Sequence, residues 1–125
     1  MALTDEEKAI NKIKNKTVKE MQALGVYRVE FSATIKAYAQ LRYLYDVINT
    51  RFMENGYQVT EEYTNKAGAT NIRKTAEYMA LETLRKDILN HETVLGLNPS
   101  GLKKIRADTG PKKESKLGAV LNELQ

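Results

Sequence analysis

Between residues 31 and 52 the apolar side chains recur in a way that only a long helix satisfies. Phe31, Ile35, Tyr38, Leu41, Tyr45, Ile48 and Phe52 are spaced 4, 3, 3, 4, 3 and 4 apart, the signature of a 3.6-residue period. A second row, Ala33, Ala37, Leu44 and again Ile48, lies beside the first. Together they cover about half the circumference and leave the rest to Thr34, Lys36, Gln40, Thr50 and Glu54. A helix buried on one side of a monomer needs a stripe little wider than ~100°. This helix, expected over 31–55 with Gly56 ending it, therefore has room for two partners.

The other segments are punctuated in the same fashion, by few glycines and prolines. Thr4 followed by Glu7 is a capping-box pattern, and Asp5 and Glu6 suit the positive end of a helix dipole. A first helix over 5–24 follows, with Gly25 at its C′ position. Ile10, Ile13, Thr17, Met21 and Leu24 share one face, and Lys8, Lys12, Lys16 and Lys19 the opposite one. A third helix is expected over 71–95. Ile72, Ala76 and Met79 open its apolar face, Leu81, Leu84, Ile88 and Leu95 continue it, and Glu82 and Lys86 form an i,i+4 pair. Asn98 as N-cap and Pro99 at the first helical position begin a short fourth helix with Leu102 and Ile105 inward. The stretch 57–70 reads as a loop with one edge strand at most and a turn at Lys66-Ala67-Gly68. Residues 108–116 read as a polar linker, and the end of the chain sets Leu117, Val120, Leu121 and Leu124 at helical spacing.

The expected fold is all-α: an N-terminal helix, a long antiparallel αα-hairpin and short C-terminal helices. Residues 1–30 hold the basic amphipathic helix, 31–107 the hairpin, and 108–125 a flexible linker and tail. Two helices of about 37 Å exceed what a compact chain of this size accommodates, since its radius of gyration is about 14 Å. The hairpin is thus elongated, and leaving half of helix two bare would create an aggregation-prone patch. Self-association is the expected remedy, through Phe31, Ile35, Leu41, Leu44, Ile48, Leu84 and Ile88. Side-by-side packing gives a head-to-tail interface that closes into an oligomeric ring where the rotation allows.

Catalysis finds little purchase. The 125 residues include no cysteine and a single histidine, His91, which removes thiol nucleophiles, Cys-based zinc sites and disulfides. Asp87 and His91 stand at i,i+4, a metal-like spacing without a third ligand, and read as a surface hydrogen bond. Glu61 and Glu62 are adjacent carboxylates pointing to different sides, and no phosphate-binding glycine loop is present. No enzyme, cofactor or metal is expected. No apolar run nears the roughly 18 residues of a membrane span, and the first residues lack the apolar core of a signal peptide. The expectation is a soluble intracellular domain without a membrane partner.

Charge is segregated toward the two ends. Residues 8–19 carry Lys8, Lys12, Lys14, Lys16 and Lys19 and no acid, whereas residues 31–95 hold eight bases against eight acids. Lys103, Lys104 and Arg106, with Lys112, Lys113 and Lys116, make the C-terminal third basic. A helix with one apolar and one basic face packs with the first and lies along phosphates with the second. Lys8, Lys12, Lys14, Lys16, Lys19, Lys103, Lys104 and Arg106 are the candidate DNA contacts. The tyrosines 57, 63 and 78 are lesser candidates for stacking on bases.

Leu81-Glu82-x-Leu84-Arg85-x-x-Ile88-Leu89, followed by Leu95-Gly96-Leu97-Asn98-Pro99-x-x-Leu102, resembles the C-terminal signature of bacteriophage terminase small subunits, in which a long helix ends in Leu-Gly-Leu-x-Pro before a short one. The stretch 66–71 and the tyrosine-rich second helix also fit, so that the likeness covers about 31–106. Such proteins often carry a proline near the start of the third helix. Here the sequence reads Arg73-Lys74-Thr75-Ala76, which leaves that start open.

The resemblance implies a ring-forming, non-catalytic subunit in the host bacterial cytoplasm. It would bind viral double-stranded DNA, bring it to the large terminase subunit and modulate that partner's ATPase and nuclease to initiate genome packaging. Many small terminases read DNA with an N-terminal helix-turn-helix. Only one helix precedes the hairpin here, which favours backbone contacts or wrapping. The tail residues Leu117, Val120, Leu121 and Leu124 are the implied dock for the large subunit. The competing readings are a helical scaffold or adaptor with merely solvating lysines, and a DNA-binding transcriptional regulator.

Overall fold

Three glycines close three helices by the same hydrogen-bond arrangement. Gly25, Gly56 and Gly96 all have φ near +75° (74°, 78° and 74°). The two amides at each stop turn back onto the last helical turn: Gly25 N to Gln22 O and Val26 N to Met21 O, Gly56 N to Met53 O and Tyr57 N to Phe52 O, Gly96 N to Thr93 O and Leu97 N to Glu92 O, at 2.8–3.2 Å. This is the Schellman closure, which satisfies carbonyls otherwise left open. At Gly56 its usual apolar contact is present too, with the Tyr57 ring edge-on to Phe52 at 5.7 Å.

The computed structural model describes residues 2–109. Its order is α1 (Asp5–Ala23), α2 (Ser32–Glu54), β1 (Thr60–Thr64), β2 (Thr70–Lys74), α3 (Ala76–Leu95) and α4 (Pro99–Thr109), with a short 3₁₀ turn at Val29–Phe31 before α2. The expected capping box opens α1: Thr4 Oγ1 accepts from Glu7 N at 3.1 Å, and Thr4 N donates to Glu7 Oε2 at 3.0 Å. α4 starts as expected, Gly101 N donating to Asn98 Oδ1 at 2.8 Å.

The fold is mostly helical, but not all-α. The stretch expected as a loop and the expected first turn of helix three together form an antiparallel hairpin, Thr60 opposite Lys74 through to Thr64 opposite Thr70. The physical reason is local. Asn65 accepts from the amides of Ala67 and Ala69 at 3.0 Å each, and Gly68 takes φ +86°, so five residues reverse the chain at the foreseen turn. Thr75 then acts at both ends of the junction, donating to Gln58 O at 2.7 Å and capping α3 by accepting from Tyr78 N at 3.3 Å. This cap starts α3 at Ala76 rather than 71. Ile72 accordingly lies on β2, 75% exposed, and opens no helix face. Glu82 pairs with Lys74 across this junction at 3.0 Å rather than with Lys86.

α2 packs along α3, and α1 packs on α2, with Glu6 and Ile10 of α1 reaching as far along it as Leu44 and Val47. Met21, Val26, Ile35, Tyr38, Ile88 and Leu95 form the buried cluster, sealed by Leu97, Leu102 and Ile105 from the α3–α4 corner. Beyond the reach of α1, Phe52, Leu81 and Leu84 are buried between α2 and α3, and the β-hairpin stands at that end. The molecule thus has a thick three-helix end bearing α4 and a thin end bearing the hairpin.

Candidate nucleic-acid interface

The two faces of α1 separate as its periodicity requires. Thr17 and Met21 are buried against the body, with Thr17 Oγ1 donating to Ile13 O at 2.8 Å. Lys8, Lys12, Lys16 and Lys19 are exposed on the outer face. With Leu3, Asn11 and Asn15 they line an open depression of ≈ 730 Å³ along the helix. Eleven residues separate Lys8 from Lys19, about 16 Å of helix, and the stripe is at most about 80° wide at 100° per residue. Among the described residues only Lys16 has a carboxylate partner on this face, Glu20 at 3.9 Å. An exposed i,i+4 pair of this kind contributes a few tenths of a kcal/mol, so all four ammonium groups are available to an anionic surface.

Lys14 does not join them. It falls about 120° round the helix from Lys8 and is half-buried beside the packed face. Its spacing in the sequence, taken without the helix angle, hides this. On α4, Lys103, Lys104 and Arg106 are all exposed, and Arg106 also donates from Nη2 to the Leu24 carbonyl at 3.4 Å. A guanidinium there sits at the negative end of α1, a tie between α4 and α1 that sequence spacing does not reveal.

The candidate interface residues divide in two. Ile35, Leu84 and Ile88 are 1%, 7% and 6% exposed. They are packed within the chain, because α2 and α3 turn their first apolar rows toward one another, and they have no surface left for a second copy. Phe31 and Leu41 are half-buried against the same cluster. The second row of α2 stays outside: Ala33 is exposed, Leu44 is 46% exposed, and Ala37 and Ile48 are half-buried. Leu44 lines a cleft of ≈ 460 Å³ with Ile10, Tyr43, Val47, Glu6 and Gln40. The tail residues Leu117, Val120, Leu121 and Leu124, with Lys112, Lys113 and Lys116, lie outside the described residues.

Between α1, α2 and α3 runs a second, polar cleft lined by Lys16, Thr17, Glu20, Tyr38, Arg42, Asp46 and Glu92, with Ile13. Burial, and then the charge of Glu92 to which the phenol is hydrogen-bonded, push Tyr38 up from 10.0 to about 12, with Glu20 adding to the rise and Arg42 opposing it. The site is a mixed-charge seam, with the two bases Lys16 and Arg42 against the three acids Glu20, Asp46 and Glu92. His91 Nδ1 meets the Asp87 carbonyl oxygen at 2.8 Å, not its carboxylate. Among the described residues no three His, Asp or Glu side chains are grouped as a metal would need, and no helix is long and apolar enough to cross a membrane. All three tyrosines considered for base stacking have partners within the chain, Tyr57 against Phe52 at 5.7 Å, Tyr63 beneath the Arg73 guanidinium at 4.0 Å and Tyr78 tilted over Phe52 at 6.1 Å.

Residues 12–112 match a family model described as phage terminase, small subunit. No curated protein and no solved structure matches the chain.

Proposed function

The chain belongs to the phage terminase small subunit family, and from that membership we propose that it binds viral double-stranded DNA through the lysine stripe of α1 and regulates the ATPase and nuclease of the large terminase subunit at the start of genome packaging. The stripe carries this reading: four exposed lysines on one face of a helix whose other face is anchored in the core. Duplex DNA bears one charge per about 1.7 Å of axis, so a row of cations about 16 Å long meets several phosphates without reading a base. Lys103 and Lys104 extend the positive surface onto α4. The role proposed is regulatory and non-catalytic, in the host cytoplasm, with the tail residues Leu117, Val120, Leu121 and Leu124 as the dock for the large subunit.

Copies of the chain associate, in the same proposal, through the second row of α2, centred on Leu44 and Ile48, and close head to tail into a ring. A ring repeats the lysine stripe once per subunit and makes a weak single contact into a strong collective one. The Lys8, Lys12, Lys16 and Lys19 to Gln variant tests the DNA path. Its affinity for duplex DNA is expected to fall at every sequence tried. The slope of log K against log salt is expected to flatten by about 0.9 for each phosphate that the variant no longer neutralises. An unchanged slope removes α1 from the DNA path and favours a scaffold with merely solvating lysines.

A further inference from the structure

Five of the eleven large apolar side chains exposed among the described residues, Met53, Tyr57, Val59, Tyr63 and Ile72, fall between residues 53 and 72. They lie in and beside a two-stranded sheet that buries almost none of its surface: every residue of β2 is exposed, and of β1 only Glu61 is half-buried. An isolated two-stranded hairpin is marginally stable in water, and two free edges are a standing invitation to further pairing.

The hydrogen bonds at its two ends show which backbone groups are free. Thr75 N donates to Val59 O and Asn65 N to Ala69 O, each at 2.9 Å. With the register between them, the alternation of an antiparallel ladder turns the backbone groups of residues 61, 63, 71 and 73 inward. Those of residues 60, 62 and 64 on β1, and of 70, 72 and 74 on β2, point outward. The two edges carry opposite charge: β1 (TEEYT) holds Glu61 and Glu62 and no base, and β2 (TNIRK) holds Arg73 and Lys74 and no acid. Like edges brought together set Glu against Glu or base against base, which is unfavourable for residues directly opposite. Unlike edges set carboxylates against cations. The existing Arg73–Glu61 and Lys74–Glu82 pairs, both at 3.0 Å, are exposed and cost little to rearrange.

We propose that the hairpin joins copies of this chain edge to edge, the outer edge of β2 in one copy pairing antiparallel with the outer edge of β1 in the next. The inference rests on the self-association proposed above and adds a second contact at the opposite, thin end of the molecule. Strand direction permits it, because copies related by rotation about an axis along the strands keep the order up, down, up, down. The contact is heterologous, so a closed ring leaves no free edge. Five residues of edge are too few to hold an assembly alone. They set its direction, while the second row of α2 supplies the buried area.

Amide hydrogen exchange on the full chain, read residue by residue with light scattering alongside, tests the pairing. In the assembled protein the outward amides of Ile72 on β2 and of Glu62 on β1, with those of their outward neighbours that fall within the paired stretch, are expected to exchange at least ~tenfold more slowly than after dilution to monomer. Ile72→Pro, which removes an outward N–H and spares the hairpin's own ladder, is expected to lower the mass of the assembly. An assembly whose outward amides exchange as fast as in the monomer, with residues 61, 63, 71 and 73 protected, overturns the edge pairing and leaves the α2 interface standing. A protein that is monomeric at every concentration overturns both.

Discussion

At the scale of single residues, the corner between α3 and α4 shows how much a short motif specifies. Asn98 and Pro99 are legible as a helix start from their types alone. Gly101 is not, because its requirement comes from a tertiary approach: a Cβ there would fall 2.7 Å from Thr93 Cα and closer still to the Thr93 carbonyl. The first turn of α4 is pressed directly onto the last turn of α3, and Asn98 fastens it by donating from Nδ2 to Thr93 Oγ1 at 2.8 Å. Gly96 adds the left-handed turn that swings Leu102 and Ile105 over the core. Gly101→Ala is therefore expected to destabilise the fold by about 3 kcal/mol, measured as a lowered urea midpoint. Ser100→Ala, one position away and exposed, is expected to shift it by less than about 0.5 kcal/mol.

Among the elements, the helices are legible in the sequence and the hairpin is not. The boundaries of α1 and α2 follow within a residue from a capping box, a 3.6-residue period and two glycine stops. The apolar period also runs on through Ile72, which makes β2 look like the first turn of α3. What overrides it is the Asn65 turn and the double role of Thr75, whose bond to Gln58 joins residues too distant in sequence for spacing to announce it. The seam between α1, α2 and α3 is likewise invisible, since by spacing Tyr38 is simply a member of the apolar row. Its phenol gives up its proton less readily in the fold than in the open chain, raised to about 12 from 10.0. A folded-state value above the unfolded one means that the neutral group's stabilisation is whole below about pH 10 and is lost as pH climbs through about 12. The urea midpoint of the wild type is expected to fall across that window more steeply than that of Tyr38→Phe, which has no proton to lose there; parallel curves would remove Tyr38 as the cause.

For the whole molecule, the sequence announces more apolar surface on α2 than one chain hides, and the structure divides it. The first row, with Ile35, Tyr38 and Phe52 buried, faces the body; the second, with Leu44 46% exposed, faces outward. Periodicity alone does not say which row is which, because both are helical and only the packing of α1 and α3 selects between them. For that reason spacing nominates Ile35, Leu84 and Ile88 as interface residues although the fold makes them core. Native mass spectrometry of the intact chain, with Leu44→Asp beside it, tests directly whether copies hide this surface for one another. The expected result is a single high-mass species of fixed copy number for the wild type, reduced to monomer or small fragments of the assembly by a carboxylate at position 44. A wild-type chain that remains monomeric at high concentration, or a Leu44→Asp variant of unchanged mass, would contradict it.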